Sequence, residues 1–206
     1  MKYGVLGTGM VGQALAGKLV ALGHNVMMGS RDATNQKAIT WAKRAGSRAQ
    51  VGTFAETAVF GDVLVNCTHG ASSIDALRAA GEQHLAEKIL VDVANILPPD
   101  TRGVESLGEQ IQKAFPRTQV VKALNTMNCE VMVDVSKVAG SHTVFMSGDA
   151  AAAKNTVRAL LEALGWKDII DLGGIATARA TESYMPLWMA LWTTLGTAHF
   201  NIKVVR

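Results

Sequence analysis

The sequence predicts a Rossmann-type, doubly wound α/β fold: a mainly parallel sheet with helices on both faces and a short helical C-terminal tail. Three observations predict it. Short Val/Ile/Leu runs alternate with Ala-rich amphipathic stretches, the rhythm that builds parallel sheets through crossover helices. A G-x-G-x-x-G loop follows the first apolar run and opens the first amphipathic one. Polar clusters stand just after three later runs, where open α/β sheets place their ligands.

Strands are expected at residues 2–6, 25–28, 63–66, 89–93, 119–123, 143–146 and 168–171, with a weaker one near 49–51. Helices are expected at 10–22, 33–45, 54–60, 72–80, 150–164 and 176–200. The last is broken near Pro186, because proline removes a donor and clashes with the preceding turn. The stretch "NILPPDTRGVESLGEQ", starting at Asn95, reads as a loop leading into a helix. Residues 1–172 form the expected nucleotide-binding domain, and 173–206 a helical segment packed on that domain or on a dimer partner.

With 49% hydrophobic and 18% charged residues, the 206-residue chain can bury a sizeable core. Aromatics are only 5%, so aliphatic residues and nine methionines must fill it. The net charge of +3 is spread out, with no Lys/Arg run of the kind that marks a nucleic-acid partner, and it suits a small anionic ligand. Cys67 and Cys129 lie far apart and read as reduced thiols of a cytoplasmic protein. The N-terminus enters a strand at once and is no secretory signal. The apolar stretch 185–205 is interrupted by Pro186, His199, Asn201 and Lys203, so a buried or subunit-interface helix is expected rather than a membrane span. A Trp-bearing apolar helix needs a partner surface, which predicts a homodimer. No H-E-x-x-H, paired C-x-x-C or G-x-S-x-G occurs, so neither a metal site nor a hydrolase elbow is expected.

Gly7, Gly9 and Gly12 form the glycine loop. The first permits the strand-to-helix turn, the second admits a pyrophosphate to the backbone, and the third packs helix on strand. Thr8 belongs to the same loop, and the N–H groups of Met10 and Val11 at the helix start would face the phosphates. In NAD-binding versions a carboxylate about 20 residues further on receives the ribose hydroxyls. Here that place holds Gly29 and Ser30, followed by Arg31. A hydroxyl and a guanidinium would welcome a 2′-phosphate that a carboxylate would repel, so NADP(H) is expected over NAD(H). Thr34 and Lys37 are secondary candidates, and Asp32 is expected to cap the next helix.

The three polar clusters are "NCTHG" from Asn66, "ANILPP" from Ala94 and "LNTMN" from Leu124. His69 is the one candidate for hydrogen bonding or proton transfer to a bound acceptor. Asn95 and Asn125 could meet the carboxamide or a carbonyl of a second ligand. Cys67 is expected to be a buried thiol rather than a nucleophile. Glu130 and Asp134, four apart, read as a solvated helix face.

The segments "GTGMVGQALA", "GSRD", "VVKALNTMNCEVM" and "GDAAAAKNTVRALLEALGWKDIIDLGGIATARATES" together resemble the NADPH-dependent oxidoreductases of the deazaflavin type, which pass hydride between NADP(H) and coenzyme F420. The same domain forms the cytosolic part of metalloreductases and is related to the N-terminal domain of pyrroline-5-carboxylate reductase. The resemblance covers nearly the whole chain. It implies Thr8 at the pyrophosphate, Ser30 and Arg31 at the 2′-phosphate, Thr68 and His69 near the nicotinamide ribose, and Ala94, Asn95 and Asn125 near the reacting rings. It implies a small-molecule hydride acceptor, a flavin or deazaflavin, lying in a cleft lined by Ile96, Leu97 and the C-terminal helix. Two departures fall on that acceptor side. The family's Asn-Pro-Leu is replaced by Asn95-Ile96-Leu97-Pro98, and the tail is rich in Met and Trp. Reduction of a small imine or carbonyl, or NADPH sensing without turnover, are the alternative readings.

Overall fold

A computed structural model describes residues 1–96 and 105–206. The chain runs β1 (Lys2–Leu6), α1 (Met10–Ala21), β2 (Asn25–Ser30), α2 (Gln36–Ala45), β3 (Ala49–Thr53), α3 (Phe54–Phe60), β4 (Val63–Asn66) and α4 (Ser73–Ala80). It continues with α5 (Glu82–Leu85), β5 (Ile89–Asp92), α6 (Leu107–Ala114), β6 (Gln119–Ala123), α7 (Cys129–Val133), β7 (Thr143–Gly148), α8 (Ala151–Ala163) and β8 (Asp168–Asp171). Two helices, α9 (Ala178–Glu182) and α10 (Met185–Leu195), complete the order.

The strands form one sheet in the order β3-β2-β1-β4-β5-β6-β7-β8. Crossovers run outward in both directions from β1 and β4, which creates the switch point where such sheets open a crevice. All neighbours are parallel except β6 and β7. The reversal turns β7 and β8 around, so only β1 to β6 end at the edge that carries the crevice.

Alternation along the strands feeds two cores. Val5, Val65, Val91 and Val121 point to the face covered by α1, α2, α7 and α8, where Leu15, Trp41, Val131 and Leu161 pack on them. Leu64, Leu90 and Val120 point to the other face, against Phe54, Leu77, Ile111 and Ala178 of α3, α4, α6 and α9. Such period-2 sorting is what places helices on both faces.

Several boundaries move from the sequence expectation. The strand expected at 25–28 continues to Ser30, pairing Ser30 with Thr53 of β3. The helix expected from residue 33 starts at Gln36, and its N-cap is Asn35, whose side chain accepts from Lys37 N and Ala38 N. Asp32 is therefore not a helix cap. Its carboxylate instead closes a turn onto Thr34 N and Thr34 Oγ1, both at 2.8 Å. The expected 176–200 helix is two helices. Pro186 stands in the first turn of α10, where its missing N–H costs nothing, and Gly196 ends α10 in the left-handed conformation (φ 66°). The loop predicted after Asn95 reaches helix α6 at Leu107, capped by Ser106 and Glu109. Its residues 97–104, including Leu97 and Pro98, lie outside the described residues. Among the described residues, no helix is long and apolar enough to cross a membrane.

Candidate functional site

The glycine loop joins β1 to α1 at the switch point. Gly7 has φ 118°, and a Cβ there would sit 2.5 Å from the Cys67 carbonyl oxygen, so only glycine fits. A Cβ on Gly12 would lie 2.2 Å from the Gly7 carbonyl oxygen, which is why helix and strand can close. Gly9 is different. A Cβ there would meet no atom within 4 Å, so the space beside this backbone is left open.

Helix α1 begins against that open space. Its N-cap, Gly9, supplies no side-chain cap, and no acidic residue stands in its first turn. The first N–H with an acceptor inside the helix is that of Gln13, to Gly9 O at 2.9 Å. The N–H groups of Met10, Val11 and Gly12 have no protein acceptor among the described residues. Open space and unspent donors at a positive helix end fit a pyrophosphate. Thr8 contributes backbone here: its carbonyl accepts from Gln13 Nε2 at 3.0 Å.

Ser30 ends β2 beside this loop, nearly buried, with its hydroxyl donating to the Asp32 carbonyl. That bond and the Asp32–Thr34 turn fold the Asp32 carboxylate back along the chain. The donors of Thr34, backbone first, hold Asp32 below the usual carboxylate range. Arg31 is exposed, and its guanidinium forms no hydrogen bond or ion pair among the described residues. A cation free beside a hydroxyl, with the nearest acid tied down, fits a ribose 2′-phosphate rather than two ribose hydroxyls.

Across the switch point, the loops after β4, β5 and β6 meet. Gly70 makes their contact possible, since a Cβ there would lie 2.3 Å from the Asn95 carbonyl oxygen. Asn95 and Asn125 pair with each other: Asn95 Nδ2 donates to Asn125 O at 2.7 Å, and Asn125 Nδ2 to Asn95 Oδ1 at 3.1 Å. Asn95 Nδ2 also lies 3.2 Å from Met185 Sδ at the start of α10. Leu124, just before Asn125, holds φ 63°, a strained conformation for a branched residue and of a kind that gathers at functional sites.

His69 is exposed at the mouth of this side, and its ring makes no hydrogen bond among the described residues. Thr68 turns inward instead, donating to Asn66 Oδ1 at 2.7 Å. The Ala94 side chain is buried, and its carbonyl receives Lys122 Nζ. Cys67 packs beneath the loop, where burial and then the Asp92 carboxylate push its thiol far up, against a thiolate form. Glu130 and Asp134 form no pair: the first meets His199 Nε2 at 2.9 Å, the second closes a turn onto Ser136.

The sequence reading missed one constellation. Asp92 and Lys122 are charges inside the apolar strand runs "ILVDV" and "VVKAL", a signal in itself, because charged residues are almost never fully buried without partners. They pair at 2.8 Å, and Glu182 of α9 joins Lys122 at 2.9 Å.

The fold and this crevice define a class: a dinucleotide-binding enzyme whose phosphate end suits NADP(H). Comparison with known proteins narrows it. The family model for NADP oxidoreductase, coenzyme F420-dependent, matches residues 2–96. A crystal structure from Arthrobacter sp. FB24, named provisionally as an F420-dependent NADP-reductase, is 49% identical, with full coverage of both chains and a TM-score of 0.95. Metalloreductase STEAP3 of Rattus norvegicus is 34% identical over 91% of this chain, which spans 38% of that protein's length. F420-dependent NADP reductase of Methanothermobacter marburgensis is 27% identical, over 93% of this chain and 92% of its own. An imine reductase from Aspergillus terreus, 17% identical with a TM-score of 0.67, shares the fold. The chain belongs to the F420-dependent NADP oxidoreductase family, and it is an NADP(H)-dependent oxidoreductase.

Proposed function

We propose that the protein transfers hydride between NADP(H) and a flavin or deazaflavin bound against the nicotinamide. The observation that carries this reading is the placement of the fixed Asn95–Asn125 pair beside the apolar start of α10, across the switch point from the open glycine loop. NADPH, when bound, supplies the hydride, so the protein's task is to bind, orient and exclude water. The N–H groups of Met10 and Val11 with the Gly9 opening would hold the pyrophosphate, and Ser30 and Arg31 the 2′-phosphate. Asn95 and Asn125 would hold the ring side, with Ile96 and Met185 as apolar walls. His69, at the mouth, is the candidate to donate a hydrogen bond to the acceptor.

We also propose a homodimer. Helix α10 is apolar around most of its surface, yet Met185 is its one buried residue, while Leu187, Trp192 and Leu195 are about half exposed. The two free cysteines suit a reducing compartment such as the cytoplasm.

The test follows loss of nicotinamide absorbance with FMN, FAD, riboflavin and a deazaflavin in turn. Turnover with one of these is expected, with NADPH strongly preferred over NADH. Turnover with a cyclic imine and none with any flavin would overturn the acceptor assignment, and tight NADPH binding with no turnover would make the protein a sensor. Light scattering at micromolar concentration should return twice the chain mass; a monomer would refute the dimer.

A further inference from the structure

Parallel register puts Asn66 beside Asp92, and Asp92 beside Lys122, at the ends of β4, β5 and β6. All three side chains are essentially without solvent contact. Asn66 Nδ2 donates to Asp92 Oδ1 at 2.8 Å and to Ser73 Oγ at 3.0 Å. Asn66 Oδ1 receives Thr68 N and Thr68 Oγ1, which shapes the turn into His69. Lys122 Nζ donates to Asp92 Oδ2, to the Ala94 carbonyl and to Glu182 Oε1, satisfying its three hydrogens. Glu182 in turn accepts from Leu107 N at 2.7 Å and Gly108 N at 3.1 Å, at the N-terminal end of α6.

Two carboxylates and one ammonium leave the cluster one negative charge in excess. The amides at the start of α6 and those of Asn66 and Ala94 offset it. Burial alone would drive the Lys122 ammonium down, but Asp92 and Glu182 together lift it above its ordinary value. A buried ion cluster adds little to stability compared with apolar packing of the same volume, so a role in specifying geometry accounts better for its presence.

We propose that Lys122 is a positioning residue for the acceptor side: through Ala94 it sets the loop carrying Asn95, and through Glu182 it docks the start of α10, so that Met185 meets Asn95. This inference rests on the proposed hydride transfer for its kinetic arm only. The glycine loop and Arg31 lie on the other side of the switch point.

The test compares wild type with Glu182→Gln, which removes one charge from the cluster while Arg179 still clamps α9 to Glu109. Hydrogen exchange, without any ligand, should accelerate about tenfold at Leu107, Gly108 and α10 and stay unchanged in β1 to β5, the pattern of a local opening. With FMN and a deazaflavin as probe acceptors, kcat/KM should fall about tenfold, as the loss of one charge-assisted hydrogen bond implies. NADPH affinity by fluorescence titration should stay within about twofold, a ratio smaller than any single lost contact would give. Arg179→Ala, which breaks a pair between α9 and α6 outside the buried cluster, should leave α10 exchange and the acceptor kinetics as in wild type. Unchanged α10 exchange in Glu182→Gln overturns the proposal. So does a loss of NADPH affinity parallel to the acceptor effect, or an Arg179→Ala variant that behaves like Glu182→Gln. If the wild type reduces no flavin or deazaflavin, the functional reading fails, while the exchange arm still decides the role of the cluster.

Discussion

The two sides of the crevice are built on opposite principles. The phosphate side is unfinished by design of its backbone: free N–H groups at α1, open space beside Gly9, and a guanidinium with no protein partner among the described residues. The ring side is finished before any ligand arrives. Asn95 and Asn125 hold each other, Gly70 lets two loops touch, and Lys122 ties the strand ends to α9. Under the proposed function, the contrast follows from what each side would do. A phosphate would be held by strong charge-assisted bonds from donors that the protein itself leaves unused. Hydride transfer between two rings depends on near-contact geometry, and a misplacement of about 1 Å can cost about a hundredfold.

Four measurements can break or sharpen that contrast. The largest effect is expected from Gly7→Ala. It places a Cβ against the Cys67 carbonyl at a φ that costs on the order of 1–3 kcal/mol by itself, so a lower melting temperature and loss of NADPH binding should coincide. Gly70→Ala pushes the loops of His69 and Asn95 apart. It should lower acceptor kcat/KM by about a hundredfold and leave NADPH affinity within about threefold, since only ring placement is disturbed. If both parameters fall together, the two sides are not separately built. Arg31→Ala should weaken NADPH roughly tenfold or more, the value of a hydrogen bond to a charged group, and leave NADH nearly unchanged. Equal loss for both nucleotides in a titration would remove the 2′-phosphate from this position.

The smallest effect concerns the tail, which lies at neither side. Lys203 and the Thr143 hydroxyl, with Arg206 in support, hold the Asp168 carboxyl down to about 2 from an ordinary 3.8. A depressed carboxyl stabilises the fold above its unfolded value and loses that contribution as pH falls through the folded one. The melting-temperature difference between wild type and Asp168→Asn should thus be constant above about pH 5 and vanish on approaching pH 2. A difference that persists in acid would show that the pair plays no part.

Much of this fold was legible in the chain because its signals are local. β1, β4, β6, β8 and α3 fall on the residues expected from apolar runs and flanking turns. The glycine spacing located the tight turn between β1 and α1, and "GSRD" spans the buried end of β2 at Ser30 and the exposed Arg31 after it. Asp32 misled as a cap because Asp suits a helix start and a turn equally well, and the choice between them depends on where β2 ends.

What the sequence determined was the class of fold, from the alternation of apolar runs and helical stretches along the chain, and the kind of nucleotide, from the few residues of the glycine loop and the end of β2. The reversal of β7 was not legible, because no residue type marks a strand as antiparallel. Nor was the ion cluster behind the Asn95–Asn125 pair. Asn66 and Asp92 are 26 residues apart, Asp92 and Lys122 are 30, and Glu182 comes from beyond the sheet altogether. Only strand register brings them into one row, and a buried charge cluster has meaning only when its partners are in place: tertiary structure decided it, because burial and pairing are properties of the assembled sheet and not of any segment of the chain.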